Sequence, residues 1–167
     1  MDSEIRQVLL GVRQGTVSVD QALLTLKQKP FEDLGYAKVD LHRKLRQGAG
    51  EVIYGEGKTG EQIVGILTGM AENGQKNVLI TRLGPEKAAF VQKTHPIFYD
   101  PASRIGILGE KAQPWGMGKI VIATGGTSDI PVAEEATLTA EFLGNPVNRL
   151  YDVGVSGIHR LLQHSEE

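Results

Sequence analysis

The chain has 167 residues, which is enough for one large domain or two small ones. Its hydrophobic content of 40% supports a real core, and its formal net charge of −2 gives no reason to expect nucleic acid or a membrane as a partner. The sequence has no Cys, which excludes disulfides and thiolate chemistry within this chain. No apolar run approaches ~18 residues and no signal-peptide pattern opens the chain, so we predict a soluble, cytoplasmic protein.

Two apolar stripes with helical spacing occupy the N-terminal third. The first comprises Ile5, Val8, Leu9 and Val12, and the second comprises Val19, Ala22, Leu23 and Leu26. We predict a helical hairpin followed by a linker over residues 1–44, too small to bury its own apolar faces. The charged segment from Phe31 to Gly50 predicts a short strand and then a basic helical turn with Arg43, Lys44 and Arg46.

A strand, a glycine-rich loop and a helix follow in the middle of the chain. The loop Gly55–Gly60 resembles a phosphate-binding P-loop, but that motif needs a Gly where Val52 stands, so the match fails. Lys58 remains at the start of the helix, either as an anion ligand or as an exposed loop lysine. Further short strands and a helix predict a small α/β domain over residues 45–117, which ends at the turn-rich run Gln113–Gly118.

The stretch Lys119–Glu135 organises the last third. Ile120–Ala123 is typical of a strand buried on both faces of a parallel sheet. Gly125, Gly126, Thr127, Ser128 and Asp129 then form a glycine-rich turn, and Pro131 suits the first turn of a helix. This arrangement is where α/β sheets bind phosphate, although an ordinary βα turn with a capping side chain is the alternative. We expect the buried helix face to comprise Val132, Ala136, Thr139, Ala140 and Leu143.

A second strand follows the helix and ends near Gly154. Since the carboxyl ends of parallel strands meet at one edge, we expect Ser128 and Asp129 to lie near His159 and Arg160. Such a group offers orientation by hydroxyl and carboxylate, phosphate binding by Arg and proton transfer by His. The alternative is that His159 and Arg160 simply begin a surface helix.

These two segments carry a family resemblance. Gly125-Gly-Thr-Ser-Asp129 resembles the Gly-Ser-x-Ser-Asp loop of the PurE family of aminoimidazole ribonucleotide carboxylases and mutases, and Gly157-Ile-His-Arg160 resembles its Ser-Ala-His-Arg segment. Taken over nearly the entire chain, the sequence resembles LarB, the PurE-related carboxylase family of nickel-pincer cofactor biosynthesis. The segments that carry this wider resemblance are Phe31–Asp40, Arg46-Gln-Gly, Glu51-Val-Ile, Gly57-Lys-Thr59 and Gly125–Ala136.

The resemblance implies both a fold and a reaction. The fold is α/β: a helical hairpin, a small α/β domain and, over residues 118–167, the start of a PurE-like (flavodoxin- or Rossmann-like) parallel three-layer sandwich. The reaction carboxylates the pyridinium ring of nicotinic acid adenine dinucleotide with carbon dioxide or bicarbonate as co-substrate. Hydrolysis of the phosphoanhydride then releases AMP and leaves pyridinium biscarboxylic acid mononucleotide. No cofactor is certain, Mg²⁺ is a candidate metal ion, and the complete protein is expected to form a homo-octamer.

The roles are carried over residue by residue. Gly125 to Asp129 would hold the ribose-phosphate, and Arg160 would bind phosphate. His159 would shuttle a proton, with Asp129 as the second catalytic candidate, while Lys58 has no PurE counterpart and its role stays open.

The missing cysteine is the main departure. A pyridinium ring reacts with carbon dioxide only after a nucleophile has added to it, and in LarB that nucleophile is a cysteine in the later part of the PurE-like domain. We therefore expect this chain, which ends at Glu167, to be an N-terminal portion of a longer protein and to be inactive alone. The alternatives are a PurE-type carboxylase of purine biosynthesis, whose electron-rich substrate needs no thiol, and a non-catalytic nucleotide-binding or assembly module.

Overall fold

The computed structural model describes residues 2–28, 31–33, 35–40, 51–110 and 113–163. They divide into two compact units, Met1–Glu51 and Val52–Glu167. Helices alternate with strands, and two of the strand pairs are parallel, which confirms the predicted α/β class. Within these ranges no helix combines the length and apolar character needed to cross a membrane. The three domain ranges given above stay a prediction.

The first unit contains the predicted helical hairpin. Its elements are α1 (Asp2–Arg13), α2 (Val19–Gln28), β1 (Phe31–Asp33) and β2 (Lys38–Asp40), with β1 and β2 antiparallel. Gly15 follows α1 with a φ of 72°, a left-handed conformation that glycine adopts without strain. The Ser18 hydroxyl accepts from the Gln21 N–H and so caps α2. The predicted basic turn at Arg43–Arg46 lies outside the described residues.

A four-stranded sheet forms the first layer of the second unit. Its elements are β3 (Val52–Tyr54), α3 (Gly60–Glu72), β4 (Val78–Thr81), α4 (Pro85–Val91), β5 (Ile97–Asp100) and β6 (Ile105–Leu108). The strand order is β3-β4-β6-β5, with β3 and β4 parallel and the other pairs antiparallel. Helix α3 begins at a capping box between Thr59 and Gln62 and buries its predicted apolar face. The buried side chains are Ile63, Ile66, Leu67 and Met70.

A parallel pair of strands and a helix form the rest of this unit. They are β7 (Ile120–Ala123), α5 (Ile130–Phe142), β8 (Val147–Leu150) and the short helix α6 (Ile158–Leu162). One turn of 3₁₀-helix precedes each helix, at Thr127–Asp129 before α5 and at Val155–Gly157 before α6. This is the predicted βαβ arrangement, and it places the ends of β7 and β8 at one edge.

Helix α5 packs on the four-stranded sheet. Leu138 and Phe142 of α5 form one buried cluster with Leu79, Ile105 and Ile107 of the sheet. The predicted buried face of α5 was wrong at Val132, which is 65% exposed, and at Ala136, which is exposed, whereas Leu143 packs against this cluster. The side chains that are buried are Ala133, Thr137, Leu138 and Phe142. The physical reason is that α5 is apolar on two sides, and its larger partner is a sheet that the local sequence does not reveal.

The predicted burial of β7 on both faces was also wrong. Ile120 is 40% exposed and Val121 is 47% exposed. Among the described strands β7 pairs only with β8, so no second neighbour covers its other edge. Ile120 also lines an open apolar groove, together with Val132, Ala136 and Leu143 of α5.

Candidate functional site

Thr124 joins the two loops that leave β7 and β8. Its N–H donates to the Leu150 carbonyl at 3.0 Å, and its carbonyl accepts from the Val153 N–H at 2.9 Å. Its hydroxyl accepts from the Asp152 N–H, also at 2.9 Å. Only 6% of Thr124 is exposed. Three hydrogen bonds from a buried residue thus hold the start of one loop against the start of the other.

The loops also touch directly through two glycines. A Cβ on Gly154 would lie 2.4 Å from the Gly125 carbonyl oxygen, which is far inside van der Waals contact. The φ of Gly154 is −56°, so the requirement for glycine here is steric rather than conformational. The two segments that the sequence analysis expected to meet are therefore in contact through their backbones.

The glycine-rich turn is closed by Asp129. Its Oδ2 accepts from the Gly126 N–H at 3.0 Å, while its own N–H donates to the Gly126 carbonyl at 3.2 Å. The N–H groups of Thr127 and Ser128 belong to the first turn of the helix, where no intrahelical acceptor exists. Both residues are exposed. In this structure Asp129 caps the turn and orders those donors.

Anchoring of α5 on β8 fixes the orientation of this turn. Arg149 of β8 pairs with Glu141 at 2.7 Å and with Glu134 at 3.1 Å. The Tyr151 hydroxyl donates to the same Glu134 at 2.9 Å. Hydrogen bonding to Glu141 raises the pKa of Arg149, while burial raises that of Tyr151. These contacts tie β8 to the second turn of the helix, at Glu134, and to its last turn, at Glu141, so the helix is anchored near both ends.

Arg160 and His159 lie in the short helix α6, just after the loop that leaves β8, so they do begin a surface helix. Arg160 Nη1 lies 2.8 Å from Asp152 Oδ2, and the guanidinium is half-exposed. Asp152 itself has a φ of 58°, the left-handed region that Asp tolerates better than most residues. His159 is exposed. Within the described residues no hydrogen bond or ion pair joins Ser128 or Asp129 to His159 or Arg160, so the two loops share an edge but not direct side-chain contacts.

Lys58 lies on the other sheet. Its ammonium donates to the Tyr54 carbonyl at 3.1 Å and its N–H donates to the Gly55 carbonyl at 3.3 Å, in the loop between β3 and α3. That loop is therefore closed by its own lysine and capped by Thr59, in agreement with the failed P-loop match.

A charged group surrounds the same loop and reaches α5. The Tyr54 hydroxyl donates to Glu56, which raises the pKa of Tyr54 and lowers that of Glu56. Arg82 Nε pairs with Glu135 of α5 at 2.9 Å, and hydrogen bonding to Glu135 raises the pKa of Arg82. This bridge links the carboxyl end of β4, an interior strand of the four-stranded sheet, to the helix that begins after the glycine-rich turn.

Sequence reasoning missed three residues of this edge: Thr124, Asp152 and Gly154. In the sequence, Thr124 is typical of the end of a strand. Its position just before the two glycines is the one signal that could have marked it as part of the site. Asp152 precedes Gly154, and an Asp close to a glycine in a loop is a signal for a left-handed residue. Within the described ranges no group of three His, Asp or Glu side chains could hold a metal ion.

Residues 31–110 match the family model described as the LarB/PurE-like N-terminal domain. The chain is also 35% identical over 168 residues to an uncharacterized protein of Methanocaldococcus jannaschii. That alignment covers 96% of this chain and 66% of the relative. The chain thus spans just under two thirds of the length of the relative that it matches.

Proposed function

Because this chain belongs to the LarB family, which is related to the PurE carboxylases, we propose that it provides the nucleotide site of a pyridinium carboxylase. The substrate would be nicotinic acid adenine dinucleotide, carboxylated on its ring by carbon dioxide or bicarbonate and then hydrolysed to release AMP. The product would be the biscarboxylated pyridinium mononucleotide from which a nickel-pincer cofactor is built.

One observation carries this proposal: the glycine-rich turn and the segment that leads from β8 to Arg160 leave the same edge of the β7–β8 pair and touch at Gly125 and Gly154. A phosphate at this edge would accept from the N–H groups of Thr127 and Ser128 at the positive end of α5. Arg160 would add a charge-assisted contact from the neighbouring loop. Asp129 would order the donors through its bond to the Gly126 N–H.

His159 is the candidate for proton transfer. Once a nucleophile has added to the ring, the neighbouring carbon attacks carbon dioxide and then loses its hydrogen as a proton. The bond from the ring to the nucleophile breaks afterwards, which releases the nucleophile and restores the aromatic pyridinium. An imidazole on the adjacent loop is suited to accept that proton. The nucleophile is not assigned to this chain, which has no Cys. For these 167 residues the proposal covers nucleotide binding and proton transfer.

Calorimetric titration of the protein tests this proposal. We expect saturable binding of nicotinic acid adenine dinucleotide, and weaker binding of AMP, which offers only part of the ligand. Aminoimidazole ribonucleotide serves as the third ligand, since a preference for it would favour the purine reaction instead. Absence of binding by all three would contradict the proposal.

The proposal also predicts that Arg160→Ala weakens dinucleotide binding. The matched control is Arg13→Ala, a change to an exposed guanidinium at the end of α1 in the other unit. It removes the same charge as Arg160→Ala. If both variants weaken binding equally, the effect is one of net charge and the proposed site is wrong.

A further inference from the structure

We propose that Asp152, held in place by Thr124, is a positioning residue that orders Arg160 for phosphate binding. The inference rests on the proposed nucleotide site and adds a second layer to it. Asp152 would not touch the nucleotide. It would act through the guanidinium, and Thr124 would act through Asp152.

The backbone of Asp152 is the first step of the argument. Its φ of 58° is unfavourable for a residue with a side chain, so the surroundings must stabilise it. The Thr124 hydroxyl does so by accepting from the Asp152 N–H at 2.9 Å, and the adjacent Val153 N–H donates to the Thr124 carbonyl. Because Thr124 is buried at the end of β7, it ties Asp152 to the frame of the sheet.

The ion pair is the second step. In this conformation Asp152 Oδ2 lies 2.8 Å from Arg160 Nη1. An arginine side chain with 39% exposure would otherwise sample many rotamers, and a ligand would have to order it on binding. The carboxylate fixes the guanidinium before a ligand arrives, which is the usual route by which preorganisation improves affinity.

The remaining donors are the third step. A guanidinium has five N–H groups, and the ion pair with Asp152 engages the Nη1 end. Nε and Nη2 lie over Gly157, since a Cβ there would be 3.0 Å and 3.5 Å from them. Gly157 thus leaves room for the side chain to fold back over its own turn. Within the described residues no hydrogen bond or ion pair engages Nε or Nη2, so these donors have no protein acceptor while the Nη1 end is fixed.

The negative charge of Asp152 repels a bound phosphate, but this repulsion is smaller than the gain from holding Arg160 in place. A carboxylate repels a phosphate bound to the same guanidinium, yet solvent screens charges that are about half-exposed. Ordering of a long, flexible arginine costs more than this screened repulsion. We therefore expect removal of the Asp152 charge to weaken binding rather than to strengthen it.

The first experiment needs no ligand. In the isotope-labelled protein, ¹⁵N relaxation of the Arg160 Nε–H group reports how ordered the side chain is. Asp152→Asn keeps a residue that tolerates the left-handed region and removes the charge. We expect it to loosen Arg160, and we expect Thr124→Val to do the same. Thr124→Ser should restore order because it keeps the hydroxyl. An equally ordered Arg160 in Asp152→Asn would overturn the proposal.

The second experiment measures binding of nicotinic acid adenine dinucleotide by calorimetry. Asp152→Asn should weaken it by about three- to tenfold, and should have no further effect when Arg160 is already alanine. Asp20→Asn, a charge removed from α2, is the matched control. Unchanged or tighter binding by Asp152→Asn would show that Asp152 competes with the phosphate and would overturn its positioning role.

Two further outcomes separate the possible failures. A half-exposed ion pair contributes little to stability, so the variants should unfold at nearly the same temperature as the unaltered protein. Asp152→Asn could instead weaken dinucleotide binding equally whether residue 160 is arginine or alanine, and also lower the unfolding temperature. That result would indicate a merely structural role for Asp152 and overturn the proposal. If the unaltered protein binds no dinucleotide, the proposed function fails, and the relaxation data alone decide whether Asp152 orders Arg160.

Discussion

Gly154 sets how closely the loops after β7 and β8 approach each other. The carbonyl of Gly125 occupies the space that any side chain at this position would need. The neighbouring Thr124 then satisfies backbone groups of the second loop. Neither Gly154 nor Thr124 is proposed to contact the nucleotide, but both determine how the two loops that carry the candidate site are positioned.

We expect Gly154→Ala to destabilise the protein by about 1–3 kcal/mol, because the added methyl must displace the Gly125 backbone. Urea unfolding followed by circular dichroism measures this loss. Gly57→Ala is the control, since nothing lies within 4 Å of a Cβ placed there. An equal response of the two variants would mean that the contact between the loops does not constrain the fold.

Arg160 and His159 should separate binding from chemistry. Charge-assisted contacts of the kind proposed for Arg160 contribute about 1.5–3 kcal/mol, so Arg160→Ala should weaken nucleotide binding by roughly ten- to a hundredfold. His159→Asn should bind nearly as well but lower turnover of the complete protein, because a proton shuttle acts in the chemical steps. Calorimetry and product assays distinguish the two effects. Normal binding by Arg160→Ala would contradict the carry-over from the PurE family.

At the scale of elements, α5 is the helix on which two sheets depend. It connects β7 to β8, and the same helix covers one face of the four-stranded sheet through Leu138 and Phe142. It begins directly after Asp129, which closes the glycine-rich turn, and its Glu135 pairs with Arg82 at the carboxyl end of β4. A change on its buried face should therefore reach both layers.

A matched pair of substitutions tests which face of α5 is buried. Leu138 is 6% exposed and Val132 is 65% exposed. Leu138→Ala should cost about 2–5 kcal/mol of unfolding free energy, as truncation of a core leucine does. Val132→Ala should change it by no more than about 0.5 kcal/mol, as at most surface positions. Chemical denaturation measures the unfolding free energy of both variants. A larger loss for Val132→Ala than for Leu138→Ala would favour the buried face expected from the sequence.

The sequence sufficed for what is local in this fold. The glycine-rich turn, Pro131 at the start of α5 and the stripe from Ile63 to Met70 each depend on neighbouring residues, and the structure contains all three. The buried side of α5 could not be found in this way. Val132 and Ala136 fit a helical stripe as well as Ala133 and Thr137 do, and the choice is made by strands far away in the chain. Asp152 was missed for a similar reason, since its conformation depends on a hydroxyl from another strand.

At the scale of the whole molecule, we predict self-association. Large apolar side chains are exposed on α1 and α2 of the first unit and on β7 of the second, which is more than isolated surface residues. Examples are Leu9, Leu23, Leu24, Ile120 and Val121. Light scattering at increasing protein concentration measures the assembly, and the PurE resemblance leads us to expect an octamer. A monodisperse monomer at high concentration would refute this prediction.

Helix α5 also limits how this protein can be shortened. A fragment that ends at Leu108 would keep all four strands of the first sheet and lose the helix that covers one of its faces. Leu79, Ile105 and Ile107 would then meet water, although each is at most 2% exposed in the longer chain. The four strands of this sheet and the helix that packs on them, α5, are separated along the chain by the segment between β6 and α5. Anyone who expresses the first sheet alone should extend the fragment through Phe142, because a helix that lies later in the chain than all four strands completes their core.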